Sequence, residues 1–146
     1  MQEIKTEIEI NAPVKKVWDL FIDFEKAPKW NPLIKAVTGK PKMDGRMFVL
    51  LKFKRLGFSP LWVKVNVFEP GQELTWTGNV PLPGVLVGRH SFRFESTENN
   101  RTRFLHSERF TGAALLIPFV KKMIDGPIKS SYENMNLVLK ARAEEN

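Results

Sequence analysis

The sequence predicts an α+β fold in which one antiparallel sheet packs against a long C-terminal helix. Three observations lead to this prediction. Residues 3–10 alternate between mostly apolar and charged side chains, residues 33–111 carry almost only strand patterns, and apolar residues after Gly112 recur at helical spacing. Alternation with period two is typical of a half-buried strand, and recurrence at three and four residues is typical of a helix. Strands that follow one another without intervening helices pair antiparallel.

The N-terminal segment predicts one strand followed by short helices. The strand spans Glu3–Ile10, and because one of its faces is charged, we expect the other face to point inward, with Ile4, Thr6, Ile8 and Ile10. Asn11-Ala12-Pro13 provides a capping residue and a proline suited to a first helical turn. An amphipathic helix is then indicated by the i, i+3, i+4, i+7 spacing of Val14, Val17, Trp18 and Phe21. Pro28 and Pro32 interrupt the chain around Trp30-Asn31.

The middle of the chain predicts six strands. Their expected ranges are Leu33–Thr38, Arg46–Arg55, Leu61–Glu69, Glu73–Gly78, Val87–Ser96 and Thr102–Thr111. Pro70-Gly71 and Asn99-Asn100 are turn signals between neighbouring strands. On the last two strands, arginines mark the outer face, so the alternate positions are expected to point inward.

The C-terminal segment predicts helices. Leu115, Leu116, Phe119, Met123 and Ile124 have helical spacing, and Gly126-Pro127 is expected to break or kink the helix. Beyond this break, a second apolar stripe consists of Ile128, Tyr132, Met135 and Leu139. We therefore expect a long final helix that ends in the polar tail from Arg142 to Asn146.

Length and composition exclude several classes of protein. The 146 residues, 42% of them hydrophobic, are the size of one globular domain, so we expect residues 1–146 to form a single domain. The absence of cysteine excludes disulfides, thiol catalysis and cysteine-ligated metals, and two histidines are too few for a histidine-rich metal site. We predict no metal and no cofactor.

The charge pattern predicts no nucleic-acid partner. The formal net charge is +7, but the basic residues are spread along strands and helix ends instead of forming a stripe. Lys121, Lys122 and Lys129 predict at most a weak contact with anionic headgroups. The N-terminus lacks the apolar segment of a signal peptide, and the longest apolar run, Gly112–Val120, is too short for a membrane span. These features predict a soluble, cytoplasmic protein.

Sequence motifs distributed over the whole chain resemble one known superfamily. They are Ile8-Glu9-Ile10-Asn11-Ala12-Pro13 with Val17-Trp18, Trp30-Asn31-Pro32, Thr102-Arg103-Phe104 leading into Glu108-Arg109-Phe110-Thr111-Gly112, and Met135-Asn136 with Leu139-Lys140. Together with the element order, they resemble the helix-grip fold of the START/SRPBCC superfamily, in its polyketide cyclase/dehydrase-like or chaperone-activator-like branch. The resemblance implies a curved sheet of six to seven strands around the C-terminal helix, with a hydrophobic cavity between them. It also implies ligands such as lipids, sterols or polyketides.

The inward faces define a predicted ligand-binding set. An apolar wall with a few convergent polar groups is typical of small-molecule pockets. The set consists of Trp76, His90, Phe92, Phe94, Phe104, His106, Glu108, Phe110, Tyr132, Met135 and Leu139. The alternative from the residues alone is that these side chains simply fill a core.

Three features of this set, and one neighbouring segment, leave alternatives open. His106 and Glu108 share a strand face, so the pair either orients or protonates a polar group of a ligand, or Glu108 pairs for structural reasons with a lysine or arginine at the cavity mouth or with His106. Tyr132 either offers its hydroxyl to the cavity or packs helix against sheet, and His90, at a strand start, is either a ligand contact or solvated. The apolar segment Val80–Leu86 is either a lid or a satellite core.

The sequence therefore favours a protein that binds a small hydrophobic ligand. A cyclase or dehydratase-type enzyme acting on a polyketide-like substrate is the first alternative, with His106, Glu108 and Tyr132 as its acid and base groups. A partner-binding module similar to the chaperone activators is the second. No nucleophile elbow and no phosphate-binding glycine loop is present in the sequence.

Overall fold

The computed structural model describes residues 1–80 and 84–145. Within these ranges the predicted order of elements is confirmed. The elements are β1 Gln2–Ile10, α1 Val14–Ile22, α2 Ala27–Trp30, β2 Ile34–Thr38, β3 Arg46–Phe53, β4 Gly57–Glu69, β5 Glu73–Val80, β6 Leu86–Thr97, β7 Arg101–Thr111, α3 Pro118–Met123 and α4 Lys129–Ala143. A π-helical turn, Ile124–Ile128, joins α3 to α4.

All seven strands form one curved antiparallel sheet, in the order β1-β7-β6-β5-β4-β3-β2. Neighbouring strands along the chain pair with each other, except that β1 pairs with β7. This pairing places Ile4 opposite Glu108 and Thr6 opposite His106. The predicted α+β, helix-grip architecture is therefore confirmed.

The core lies between the concave face of the sheet and the helices α1 and α4. The charged face of β1 is outside and Ile4 and Ile10 are buried, as the alternation predicts. Helix α4 buries Tyr132, Met135 and Leu139 on one side, which is the predicted stripe. Helix α1 contributes Trp18 and Phe21 to the same aromatic cluster as Phe94, so aromatic rings fill the space between α1 and β6.

Two local predictions differ from the structure. Strand β4 begins at Gly57, four residues before the expected Leu61, and it contains Pro60. Proline is tolerated there because β4 pairs with β5 only from Val63 onward, so Pro60 has β3 on one side alone. Helix α1 begins at Val14 without a side-chain cap, and the backbone N–H of Asn11 instead donates to a carboxylate oxygen of Glu144.

The expected break at Gly126-Pro127 is a π-helical turn through which the helical backbone continues. The wider turn accommodates Pro127, which has no backbone N–H to donate. Ser131 supports the turn, because its hydroxyl donates to the Pro127 carbonyl over 2.7 Å and accepts from the Lys54 N–H over 2.8 Å. In the described ranges, none of the helices is both long and apolar enough to cross a membrane.

Candidate functional site

A cavity of about 220 Å³ lies between the β3–β7 part of the sheet and the segment from α3 to α4. Its walls are mostly apolar. They are formed by Leu51, Phe53, Leu56, Gly57, Phe58, Ser59, Leu61, Gly78, Val80, Leu86, Gly88, Glu108, Phe110, Met123, Ile128 and Tyr132. The exposed side chains of Phe58 and Leu56 lie on its outer side, so the cavity has an apolar mouth.

Two functional groups form a buried pair at the cavity wall. The Tyr132 hydroxyl donates a short hydrogen bond to Oε1 of Glu108, and Glu108 is 8% exposed. The second carboxyl oxygen, Oε2, lies against Gly88 on β6, where a Cβ atom would be 2.0 Å away from it. Gly88 therefore leaves the space into which the carboxyl group extends, while a Cβ atom at Gly78, its partner on β5, would meet Leu61 instead.

The surroundings of Glu108 favour its neutral form. Burial raises the pKa of Glu108 to about 7, and the hydrogen bond from Tyr132 only partly opposes this increase. The pKa of Tyr132 is raised well above its ordinary value, first by burial and then by the neighbouring carboxylate. Burial therefore favours the protonated form of the Glu108 carboxyl group, while Tyr132 remains a hydrogen-bond donor.

Behind this pair, four side chains form a hydrogen-bonded series that we call the polar chain: His90, His106, Asn136 and Thr6. The Nε2 atoms of His90 and His106 are 2.7 Å apart, and Nδ1 of His106 lies 2.8 Å from Oδ1 of Asn136. Nδ2 of Asn136 then donates to the Thr6 hydroxyl over 2.8 Å. The two imidazole planes are 9° apart, with centroids separated by 4.9 Å, so the rings meet edge to edge with the hydrogen bond in their common plane.

Nδ1 of His90 connects the polar chain to the cavity wall. It lies 3.7 Å from Oε1 of Glu108 and has no hydrogen-bond partner among the described residues. Burial lowers the pKa of His90 well below its ordinary value, and the neighbouring His106 lowers it further. Burial also lowers the pKa of His106 to about 4, so both histidines are neutral at neutral pH.

The eleven residues of the predicted ligand-binding set occupy two different environments. Glu108, Phe110 and Tyr132 border the cavity. The other eight are packed in the core beside it and do not line it: Trp76, His90, Phe92, Phe94, Phe104, His106, Met135 and Leu139. The possibility that His90 is solvated is wrong, because its side chain is 1% exposed and packed between Trp76 and His106.

Among the described residues, neither a lysine nor an arginine pairs with Glu108, so that structural alternative is wrong. The partners of Glu108 are the Tyr132 hydroxyl and, at 3.7 Å, the ring of His90. The lid prediction for Val80–Leu86 falls partly on Pro81–Pro83, which lie outside the described residues. The flanking Val80 and Leu86 both border the cavity.

Several residues of the cavity and of the polar chain were not identified from the sequence. Glycines inside strands indicate close approach of another group, and Gly78 and Gly88 carry that signal. Asn136 lies within a motif that carried the family resemblance, but no pattern connects it with His106 before the helix is positioned on the sheet. Within residues 1–80 and 84–145, no three metal-ligating side chains converge on one point.

Comparisons with known proteins agree with this architecture. ZhuI aromatase/cyclase from Streptomyces sp. R1128 superposes with a TM-score of 0.77 at 15% identity, covering 98% of this chain and 93% of that one. The hypothetical protein jhp0584 from Helicobacter pylori gives 0.79 at 17% identity, covering 98% and 88%. The di-domain ARO/CYC StfQ from the steffimycin biosynthetic pathway gives 0.76 at 12% identity, covering 97% of this chain and 50% of that one.

At these identities the structural similarities show the fold alone. No curated protein sequence matches the chain. A sequence profile described as "Polyketide cyclase / dehydrase and lipid transport" does match, over residues 1–144. With nearly every residue covered and the helix-grip architecture in place, the chain belongs to the polyketide cyclase/dehydrase and lipid transport family of the START/SRPBCC superfamily.

Proposed function

We propose that the protein binds one small, mainly apolar molecule in the cavity, with an oxygen-bearing group of that molecule directed at Glu108. The observation that carries the proposal is an apolar cavity with a paired carboxyl and hydroxyl group, Glu108 and Tyr132, at its wall. Apolar walls with few, well-placed polar groups are the usual composition of ligand sites. Phe110 supplies an aromatic contact beside the carboxyl group.

The size of the cavity limits the ligand. Its volume of about 220 Å³ is below the roughly 300–1,000 Å³ of pockets that enclose drug-sized molecules. A ligand of one or two rings fits inside, whereas a longer lipid or polyketide would insert only one end and leave the rest at the mouth. The exposed rings and chains near the mouth, such as Phe58 and Leu56, would contact that outer part.

A cyclase or dehydratase-type reaction is the second candidate. It is favoured by one observation beyond the family: the pKa of Glu108 is raised to about 7, which suits a group that gives and takes protons near neutral pH. In such an enzyme Glu108 would protonate or deprotonate the substrate, and Tyr132 would donate a hydrogen bond to the developing charge on the substrate oxygen.

The experiment is native mass spectrometry of the purified protein, followed by organic extraction and a thermal-shift panel of aromatic ketones, phenols and fatty acids. We expect a one-to-one adduct or a stabilising compound. Leu86→Trp should abolish that binding, because the indole would fill the cavity that Leu86 borders. Arg89→Trp, which adds the same ring on the exposed face of β6, is the matched control and should bind normally. Failure to detect any compound that Leu86→Trp displaces would contradict the proposal.

Glu108→Gln separates carrier from enzyme. The substitution preserves the size of the side chain and removes its ability to exchange a proton. If the protein is an enzyme, the variant should still bind the ligand but lose turnover. If it is a carrier, delivery of the ligand to an acceptor should be unaffected once the small change in affinity is taken into account. Arg109→Gln, on the outer face of the same strand, is the control for the charge change.

A further inference from the structure

The orientation of the Asn136 amide follows from the hydroxyl next to it. Thr6 Oγ1 lies 2.7 Å from the backbone carbonyl oxygen of His106, and only the hydroxyl proton can occupy that contact. The Thr6 oxygen must therefore accept from Asn136, so Nδ2 of the amide faces Thr6 and Oδ1 faces His106. Thr6 on β1 thus fixes the amide in the orientation in which Oδ1 of Asn136 accepts a hydrogen bond from His106.

The protons of both histidines follow in turn. Since Oδ1 of Asn136 only accepts, Nδ1 of His106 carries a proton, and in the neutral ring Nε2 is then bare. The contact of 2.7 Å between the two Nε2 atoms needs one proton, which must come from His90. His90 is neutral as well, so its Nδ1 is bare. This bare nitrogen is the atom that faces Oε1 of Glu108 at 3.7 Å.

The bare nitrogen acts against the carboxylate form of Glu108. A lone pair on Nδ1 and an ionised carboxylate repel each other, whereas a proton on either atom turns the contact into an attraction. The other neighbours do not replace that proton: Ile4 on β1 is the apolar residue opposite Glu108, and Tyr132 on α4 donates only one hydrogen bond. On β6, the paired residue is His90 itself.

We propose that Asn136 and His106 are positioning residues that fix the tautomer of His90. As a result, Glu108 and Nδ1 of His90 together hold one proton at the cavity wall, in addition to the proton on Nε2 of His90. The tautomer is a property of the ligand-free protein. Its consequence for ligands rests on the proposed function: a wall that holds a proton donates to either a carbonyl or a hydroxyl oxygen of the ligand, whereas an ionised Glu108 would accept from a hydroxyl and repel a carbonyl. Asn136 and Thr6 do not touch the cavity and act only through the histidines.

The tautomer is tested directly by the ¹⁵N shifts of the imidazole nitrogens, measured in the ligand-free protein at pH 6 and pH 8. We expect protons on Nε2 of His90 and on Nδ1 of His106. Asn136→Asp should reverse the tautomer of His90 at pH 8, because the new carboxylate stabilises a doubly protonated His106, which keeps its Nδ1 proton and whose Nε2–H then donates to His90. His90 must then carry its proton on Nδ1 and donate to Glu108, so the pKa of Glu108 should fall. Nδ1 protonation of His90 in the wild type, or an unchanged His90 tautomer beside a doubly protonated His106 in Asn136→Asp, would overturn the proposal.

A second variant protects the test against misfolding of Asn136→Asp. Thr6→Val removes the acceptor that orients the amide, and we expect signals of both His90 tautomers instead of one. Thr102→Val is the matched control, because Thr102 is buried and its hydroxyl also donates 2.7 Å to a backbone carbonyl, that of Ala12, away from the polar chain. A single, unchanged tautomer in a folded Thr6→Val protein would contradict the role of Asn136.

The consequence for ligands is tested with acetophenone and 1-phenylethanol, which have the same skeleton and differ in the oxygen group. The wild type should bind both compounds, because both oxygens accept a hydrogen bond. Asn136→Asp should shift the ratio of the two dissociation constants toward the alcohol by about tenfold or more, because an ionised Glu108 accepts only from the hydroxyl. If neither compound binds while the tautomers are as expected, the proposed function fails and the positioning roles stand. If both bind and the ratio does not move, the selection inferred here is wrong.

Discussion

Replacing Gly88 by alanine tests whether Glu108 depends on the space that this glycine leaves. The new Cβ atom would be 2.0 Å from Oε2 and 3.0 Å from Cδ of Glu108. The carboxyl oxygen must withdraw by more than about 1 Å to reach an ordinary contact distance, since atoms are repelled steeply below it. Withdrawal of that size breaks the hydrogen bond from Tyr132 to Oε1 and leaves the buried hydroxyl without its partner.

The expected loss follows from these contacts. A hydrogen bond to a charged or partly charged group contributes about 1.5–3 kcal/mol, and alanine in a strand recovers about 0.5–1 kcal/mol relative to glycine. The free energy of unfolding should therefore fall by about 1.5 kcal/mol. For a chain of this size that corresponds to a melting temperature roughly 3–6 °C lower.

The assay is urea unfolding of four proteins: the wild type, Gly88→Ala, Glu108→Ala and the double variant. In the double variant the added methyl group meets no carboxyl group, so Gly88→Ala should there stabilise by about 0.5–1 kcal/mol, giving a coupling energy of about 2 kcal/mol. Gly126→Ala is the control, because a Cβ atom there meets nothing within 4 Å and alanine favours helix. An equal loss from Gly88→Ala with and without Glu108 would refute the reasoning.

Three further predictions concern stability. Between pH 5 and 6 the two buried histidines are neutral in the folded wild type and take up protons on unfolding, so stability rises with pH. Glu108 opposes this rise, because it is protonated when folded (pKa about 7) and mostly ionised when unfolded. Glu108→Gln should therefore steepen the rise by about 1 kcal/mol per pH unit in urea unfolding, and an unchanged slope would contradict the assigned protonation. Asn31→Ala should cost about 2–4 kcal/mol in the same assay, because the Asn31 Oδ1 accepts two buried backbone N–H groups; a loss below about 0.5 kcal/mol would be inconsistent with those bonds. Ser131→Ala should lower the melting temperature by a few degrees, since its hydroxyl links the π-helical turn to the β3–β4 connection, and a melting curve identical to that of the wild type would show that the link is dispensable.

Most of the fold could be predicted because the sequence carries strong periodic patterns. The alternation of β1 and β7 assigned each side chain to a face, and the pairing of these two strands followed from the overall architecture. Patterns failed where the backbone departs from regular geometry. That residues 1–146 form one domain stays a prediction.

The site could be predicted only in part, because alternation gives the face of a side chain and not what lies opposite it. Glu108 and Phe92 point to the same side of the sheet, yet one borders a cavity and the other is enclosed by rings. The difference arises from the neighbours: Gly88 leaves space, and Phe21 of α1 removes it. The contact of His106 with Asn136 depends on the rotation and height of α4, which no local pattern encodes.

The composition of the core supports the proposal that the polar chain acts on the cavity. His90 and His106 are buried in their neutral forms and burial favours the neutral form of Glu108, and burial of such polar groups costs stability compared with apolar side chains of similar volume. The surrounding rings, such as Phe92 and Phe104, show that this region of the sheet packs apolar side chains without difficulty. A core under selection for stability alone has no use for a bare imidazole nitrogen opposite a carboxyl group. Local departures from good packing in otherwise consistent structures are expected at functional sites, and here the departure leads from Asn136 on the helix to the one acidic group on the cavity wall among the described residues.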